Sequence, residues 1–312
     1  MQGLITVFWK EFADDFTRWR FVILFVLVLL AGVFAIYIAA ENITSEVVDT
    51  KFVFLRLFTT SGGALPSFLT FIVFFVPIVG IALGFDAINS ERNSGTLSRV
   101  LSQPIYRDDV INGKFLAGVV TIAILLTSIV ILVGGVGLRM IGVPPSAEEI
   151  LRLIAFLAAS TIYGAFWMGL AILFSIVLRR VATSALASIA VWIFFIFFMG
   201  MTAGLIANVL APAGESVASQ VRSAEVQIMV MRISPLTLFQ EAVVVLLVPG
   251  ARTMGQMLQL QTMPSSRMLP NPLSLGQSLL IVWPHLVTLI ALTAVCFAVS
   301  YIKFMREEIR ST

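Results

Sequence analysis

Six apolar runs, divided by polar segments, set the framework of the chain: residues 21–40, 68–85, 115–138, 152–178, 182–206 and 279–302. A helix of about 20 apolar residues crosses roughly 30 Å of hydrocarbon, so each run is read as a membrane span. The segment ahead of the first span has a different rhythm. Leu4, Val7, Phe8, Phe12, Phe16 and Trp19 recur at three- and four-residue spacing with charges between them, the pattern of an amphipathic helix. This helix is expected to lie along the inner membrane interface over residues 1–20. Lys10, Glu11, Asp14, Asp15, Arg18 and Arg20 precede the first run, which outlasts a signal-peptide core. A retained signal-anchor helix is expected instead of a removable leader.

Residues 207–277 break the pattern. Within them, 226–248 has the length of a seventh span, but Arg232 and Glu241 would be costly in lipid and Pro235 interrupts the run. Short helices packed over the outer mouth and dipping into the membrane are the expected form. Pro249, Pro264, Pro270 and Pro272 mark irregular chain before the last span. The predicted fold is an all-α polytopic membrane protein of six transmembrane helices in one domain, 1–312. It carries an interfacial helix at 1–20, a cytoplasmic loop at 86–114 with a short coupling helix, and an extracytoplasmic segment at 207–277. No repeat of solenoid period is evident. Nor is an inverted repeat, which weighs against a secondary transporter.

Composition agrees with this pattern. Of 312 residues, 59% are hydrophobic and 12% charged, against roughly 25% charged in a soluble domain. Cationic residues are unevenly distributed. Twelve of the 20 Lys and Arg fall in short segments on one side of a six-span arrangement, among them Lys10, Arg92, Lys114, Arg179 and Lys303. By the positive-inside rule both termini are cytoplasmic, in the plasma or inner cell membrane. The expected surroundings are the lipid bilayer and protein partners, not nucleic acid. The single cysteine, Cys296, excludes an intrachain disulfide and argues against a cysteine metal site.

Catalytic motifs are missing from the sequence. Gly113-Lys114 lacks the upstream glycine of a phosphate loop and is followed by Phe115. The sole histidine, His285, follows Trp283 and Pro284 and reads as an interfacial residue, because no relay partner is evident. No span has an ionisable residue near its centre, so the energy for any transport is expected to arrive from outside the lipid. Gly80-x-x-x-Gly84 and Gly200-x-x-x-Gly204 allow close helix approach, with packing inside one chain favoured over a dimer seam. An enzyme is not expected, nor a cofactor or metal on this chain.

The most informative stretch lies between the second and third spans. Asp86, Glu91 and Arg92 stand where the second span emerges, and Gly95 breaks the exit helix. Ser94 or Thr96 can cap a new short helix over 97–102, which presents Leu97, Val100 and Leu101 on one side before Pro104 ends it. Arg107 and Asp108 then open the helix that runs through Lys114 into the third span. Exposed apolar residues on so short and framed a helix point to docking into a groove of another protein.

The order Glu91-Arg92-x-x-Gly95-Thr96-Leu97, Leu101-Ser102-x-Pro104-x-x-Arg107 and Gly113-Lys114-Phe115 resembles the loop of ABC-2 type permeases. It is most similar to the branch with gliding-motility permeases and the permease accessory to nitrous-oxide reductase maturation. The ending Phe304-x-Arg306-x-Glu308-Ile309-Arg310 is similar too. The resemblance implies a permease subunit of an ATP-binding-cassette transporter, with export as the default direction. It implies two ATP-binding subunits carrying ATP and Mg²⁺ and a second permease chain, identical or paralogous. By position, Glu91, Arg92, Gly95, Thr96, Leu97, Leu101, Pro104 and Arg107 would form the ATPase-docking region. A carrier or channel acting alone and a non-transporting membrane assembly factor are the alternatives.

Overall fold

The computed structural model describes residues 2–45, 52–60, 67–96, 105–212, 216–250 and 272–306. Among them there is no strand. Six helices are long and apolar enough to cross a membrane: Trp19–Glu41, Phe68–Asn93, Arg107–Ile141, Ala147–Val177, Val181–Leu210 and Leu275–Arg306. Each contains or closely matches one of the six apolar runs. In chain order the helices are α1 (Gln2–Thr17), α2 (Trp19–Ser45), α3 (Val53–Thr59), α4 (Phe68–Gly84), α5 (Asn89–Asn93), α6 (Arg107–Ile141) and α7 (Ala147–Val177). There follow α8 (Val181–Leu210), α9 (Val217–Met231), α10 (Pro235–Leu247) and α11 (Leu275–Arg306). A π-helical stretch, Phe194–Phe198, interrupts α8.

The core is built around α7, which packs against α4, α6, α10 and α11. Its start is set by a capping box: Ser146 Oγ accepts from the Glu149 amide, and Glu149 Oε2 accepts from the Ser146 amide at 2.8 Å. Close approach to α4 depends on missing side chains. A Cβ at Gly80 would meet the Gly164 carbonyl oxygen at 2.6 Å, and one at Gly84 the Met168 carbonyl oxygen at 2.6 Å. This glycine pair therefore serves packing inside the chain. The second pair does not: Gly200 has open space, and Gly204 faces only the Gln227 side chain at 3.7 Å. Tyr163 stacks on Phe239 of α10 at 4.2 Å, beside the fully buried Trp167.

Between α8 and α11 the described residues form two short helices, of which the second turns into the bundle. α9 packs against the last part of α8, and α9 and α10 meet at 105°. Pro235 takes the first position of α10, where its missing N–H costs nothing. From Glu241 to Leu247 every residue of α10 is buried. α10 is thus inside the bundle, not over its mouth. The charges that argued against a lipid span are paired: Arg232 Nε donates to Glu241 Oε2 at 2.9 Å, and His285 Nε2 lies 2.8 Å from the same oxygen. A broken helix at membrane depth is tolerated where protein surrounds it. Leu273 N donates to Pro249 O at 2.8 Å, which joins the ends of the stretch holding Pro264 and Pro270, itself outside the described residues.

Two charged residues of α7 organise this end of the bundle. Glu149 Oε1 accepts from the Phe54 and Leu55 amides at the start of α3, at 2.9 and 3.3 Å. Arg152 is fully buried and donates to Leu246 O (2.9 Å), Leu273 O (2.6 Å), Ser278 Oγ (3.2 Å) and Glu148 Oε1 (2.9 Å).

At the opposite end, α1 breaks from α2 at Arg18 and packs along α6. Its packed face is Val7, Glu11 and Asp15, spaced one turn apart and all buried, while Ile5, Trp9 and Phe16 are exposed. The helix is amphipathic and separate from the first span, as expected. Two of the three residues at its seam are nevertheless acidic.

Candidate functional site

The chain leaves α4 through 85–88 and enters α5. That exit is held from three sides. Ser175 Oγ on α7 accepts from the Ile88 and Asn89 amides at 3.1 Å each, so α7 caps the start of α5. Arg20 Nη1 donates to buried Asp86 at 2.7 Å, Arg18 lies 3.8 Å from its other oxygen, and the Arg20 guanidinium sits 5.3 Å over the Phe85 ring. Glu91 Oε1 takes Lys114 Nζ of α6 at 2.9 Å and Lys10 Nζ of α1 at 3.5 Å. Lys114 also reaches Glu11 at 2.8 Å, and Lys10 reaches Glu11 at 3.0 Å. Two lysines and two glutamates thus tie α1, α5 and α6 together, and explain why an acidic residue lies at the seam of α1.

The network shifts Glu11. Burial pushes the Glu11 carboxyl up, but Lys114 and then Lys10 more than reverse this and hold it below the usual range. Asp15, one turn on, has only a 3.5 Å bond from Thr121 Oγ1. Burial pushes it up to about 6, against the opposing pull of Arg18. The folded chain therefore holds this proton more tightly than the unfolded chain, where an aspartate titrates near ~3.9. The stability so gained is fully present below about 4 and lost as pH rises through about 6. Thermal melts in detergent should show Tm falling between about pH 4 and 6. In Asp15→Asn that fall should be absent, with a Tm at pH 8 higher by about 4–8 °C, from about 2 kcal/mol. Glu11 acts in a lower window: its contribution is lost only as pH falls through its depressed value.

Beyond this frame the chain is exposed from Asn93 to Thr96. Gly95 has φ +68°, the left-handed conformation that ends helices at little cost only for glycine. Its amide donates to Arg92 O. The Ser94 hydroxyl donates to Ser90 O at 2.9 Å, the Thr96 hydroxyl to Glu91 O at 3.3 Å, and the two hydroxyls are 2.8 Å apart. Both hydroxyls close the carbonyl end of the outgoing helix.

Of the expected docking residues, Glu91 and Arg92 are half-buried in the frame, and Gly95 and Thr96 are exposed and form the tip of the described part of this loop. Arg107 is the first residue of α6. Leu97, Leu101 and Pro104, and with them the short helix expected over 97–102, lie outside the described residues, as does Glu308–Arg310 of the tail. Sequence reasoning missed Lys10, Glu11 and Lys114 as a unit. The available signal was that opposite charges on three segments lie at similar distances from span boundaries. It also gave His285 no partner, and Glu241 of α10 is one. Among the described residues no group of three His, Cys, Asp or Glu could hold a metal ion.

Residues 5–309 match the family described as ABC-2 family transporter protein. Two curated relatives are similar over part of the chain, both named probable ABC transporter permease protein NosY. The one from Pseudomonas aeruginosa is 26% identical over 147 residues, covering 46% of this chain and 52% of the relative. The one from Stutzerimonas stutzeri is 26% identical over 166 residues, covering 51% and 56%. The chain thus spans about half the length of the curated relatives it matches.

Proposed function

Because this chain belongs to the ABC-2 family of transporter proteins, we infer that it works as the permease subunit of an ATP-binding-cassette transporter whose ATPase sits on a separate chain. The observation that carries this reading is the Gly95–Thr96 tip, exposed yet mounted on a frame pinned to α1, α6 and α7. A lever needs a stiff mount, and this arrangement supplies one. The docking set is Glu91, Arg92, Gly95, Thr96, Leu97, Leu101, Pro104 and Arg107. ATP and Mg²⁺ bind two ATPase subunits, which grip this loop on two permease chains, identical or paralogous. Closure of the ATPase pair moves the tip, and the pinned frame passes the motion to α4, α6 and α7. ATP drives the change because it favours one state of the assembly over the other. The tip and both termini face the cytoplasm, and export is the direction.

A carrier acting alone is the second reading, favoured by the Glu241–His285 pair inside the bundle. Affinity purification from native membranes separates these readings. Recovery of an ATP-binding chain in comparable amount to the permease supports the transporter. Recovery of the chain alone, with flux driven by an ion gradient in proteoliposomes, overturns it. A partner confined to the outer face, with no ATPase, would indicate an assembly factor.

A further inference from the structure

Where α1 turns into α2, a crevice opens against the last turns of α4. Asp15, Arg18 and Arg20 stand at its polar end, and Leu24, Val79 and Leu83 line its apolar wall. Trp19 beside it is 79% exposed, the kind of residue that marks the depth of lipid headgroups. The Arg18 and Arg20 side chains are 40% and 58% exposed. Asp86 engages one nitrogen of each, although a guanidinium has five N–H donors in a rigid fork. Arg20 is held in place over the Phe85 ring. Asp15 is a buried acceptor with one long hydrogen bond.

A cationic pair next to a carboxylate with one long hydrogen bond, backed by an apolar wall, complements a zwitterionic headgroup better than a purely anionic one. We propose that this crevice binds phosphatidylethanolamine from the adjoining leaflet, with its phosphate on Arg18 and Arg20, its primary ammonium on Asp15, and an acyl chain along Leu24 and Leu83. Phosphate oxygens accept charge-assisted bonds from guanidinium groups. The ammonium has three N–H donors for the carboxylate, whereas a choline headgroup has none. Asp15 is then the specificity-determining residue and the arginines supply affinity common to phospholipids. The site stands on α1, α2 and α4 alone, so it holds or fails independently of the ATPase partnership.

Native mass spectrometry of the full chain in detergent, at pH 7.5, tests this with dioleoyl phosphatidylethanolamine, phosphatidylcholine and phosphatidylglycerol. The native protein should bind the ethanolamine lipid about tenfold more tightly than the choline lipid. Asp15→Asn should abolish that preference while still binding phospholipid. Because this variant is expected to melt higher than the native chain, misfolding would not account for the loss. Arg18→Gln should weaken both lipids alike. Equal binding of the ethanolamine and choline lipids by the native chain would overturn the proposal, as would a preference for phosphatidylglycerol. So would a preference that survives Asp15→Asn, or displacement of the lipid by millimolar inorganic phosphate alone.

Discussion

Gly95→Pro should reduce permease-dependent ATP hydrolysis at least tenfold in the reconstituted transporter, while the protein still inserts and folds. Proline fixes φ near −65°, and Gly95 requires +68°. Proline also removes the amide that donates to Arg92 O. The turn must then reroute, and the tip points elsewhere. The bundle should be spared, because a Cβ at Gly95 has nothing within 4 Å. Gly95→Ala is a graded control: a left-handed alanine costs roughly 1–2 kcal/mol, and coupling should fall only part of the way. Hydrolysis assays with the partner ATPase, alongside melts of each variant, read both effects. Native coupling in Gly95→Pro would remove the hinge from the account.

The largest loss of stability is expected at Arg152. Its guanidinium serves Leu246 O in the last turn of α10, a carbonyl that helix geometry leaves without a partner, and Leu273 O in the chain just before α11. It also sits 5.3 Å from the Phe52 ring centre, next to α3. Arg152→Met keeps much of the volume and removes every one of these bonds. A buried carbonyl left without a donor costs about 1–3 kcal/mol, so the variant should lose about 3–5 kcal/mol. Glu148, its ion-pair partner, is 40% exposed and stays solvated, so the carbonyls carry most of the loss. Lysine cannot span both carbonyls, and Arg152→Lys should recover only part. Melts in detergent followed by tryptophan fluorescence measure this. An unchanged Tm in Arg152→Met would show that water replaces the guanidinium.

The six spans were legible because hydrocarbon leaves the backbone few choices, and long apolar helices declare themselves in composition. The helix end at Gly95 was legible because a glycine after a polar helical segment has a local meaning. α10 was not. Residues 236–247 have the same apolar character whether lipid or protein surrounds them, and only tertiary structure tells the two apart. Arg232 and Glu241 read as costs because each was counted as unpaired. Their pairing, and the arrival of His285 from α11, depends on a fold-back that no local pattern encodes. Lys114 was read as one more cation on the inner side. Its place between Glu11 and Glu91 became visible only once α1 lay along α6. Sequence periodicity likewise showed that α1 has an apolar side, and the structure showed that much of this side faces outward while an acidic seam faces in.

Photo-crosslinking from Thr96 tests most directly whether this loop is where a separate ATPase takes hold. Thr96 is exposed beside Gly95, and a photoreactive residue there leaves the Lys10–Glu11–Glu91–Lys114 frame untouched. In native membranes the predicted result is an adduct with an ATP-binding subunit whose yield changes when ATP is added. An intact transporter that gives no such adduct, or adducts only with lipid, would contradict the account.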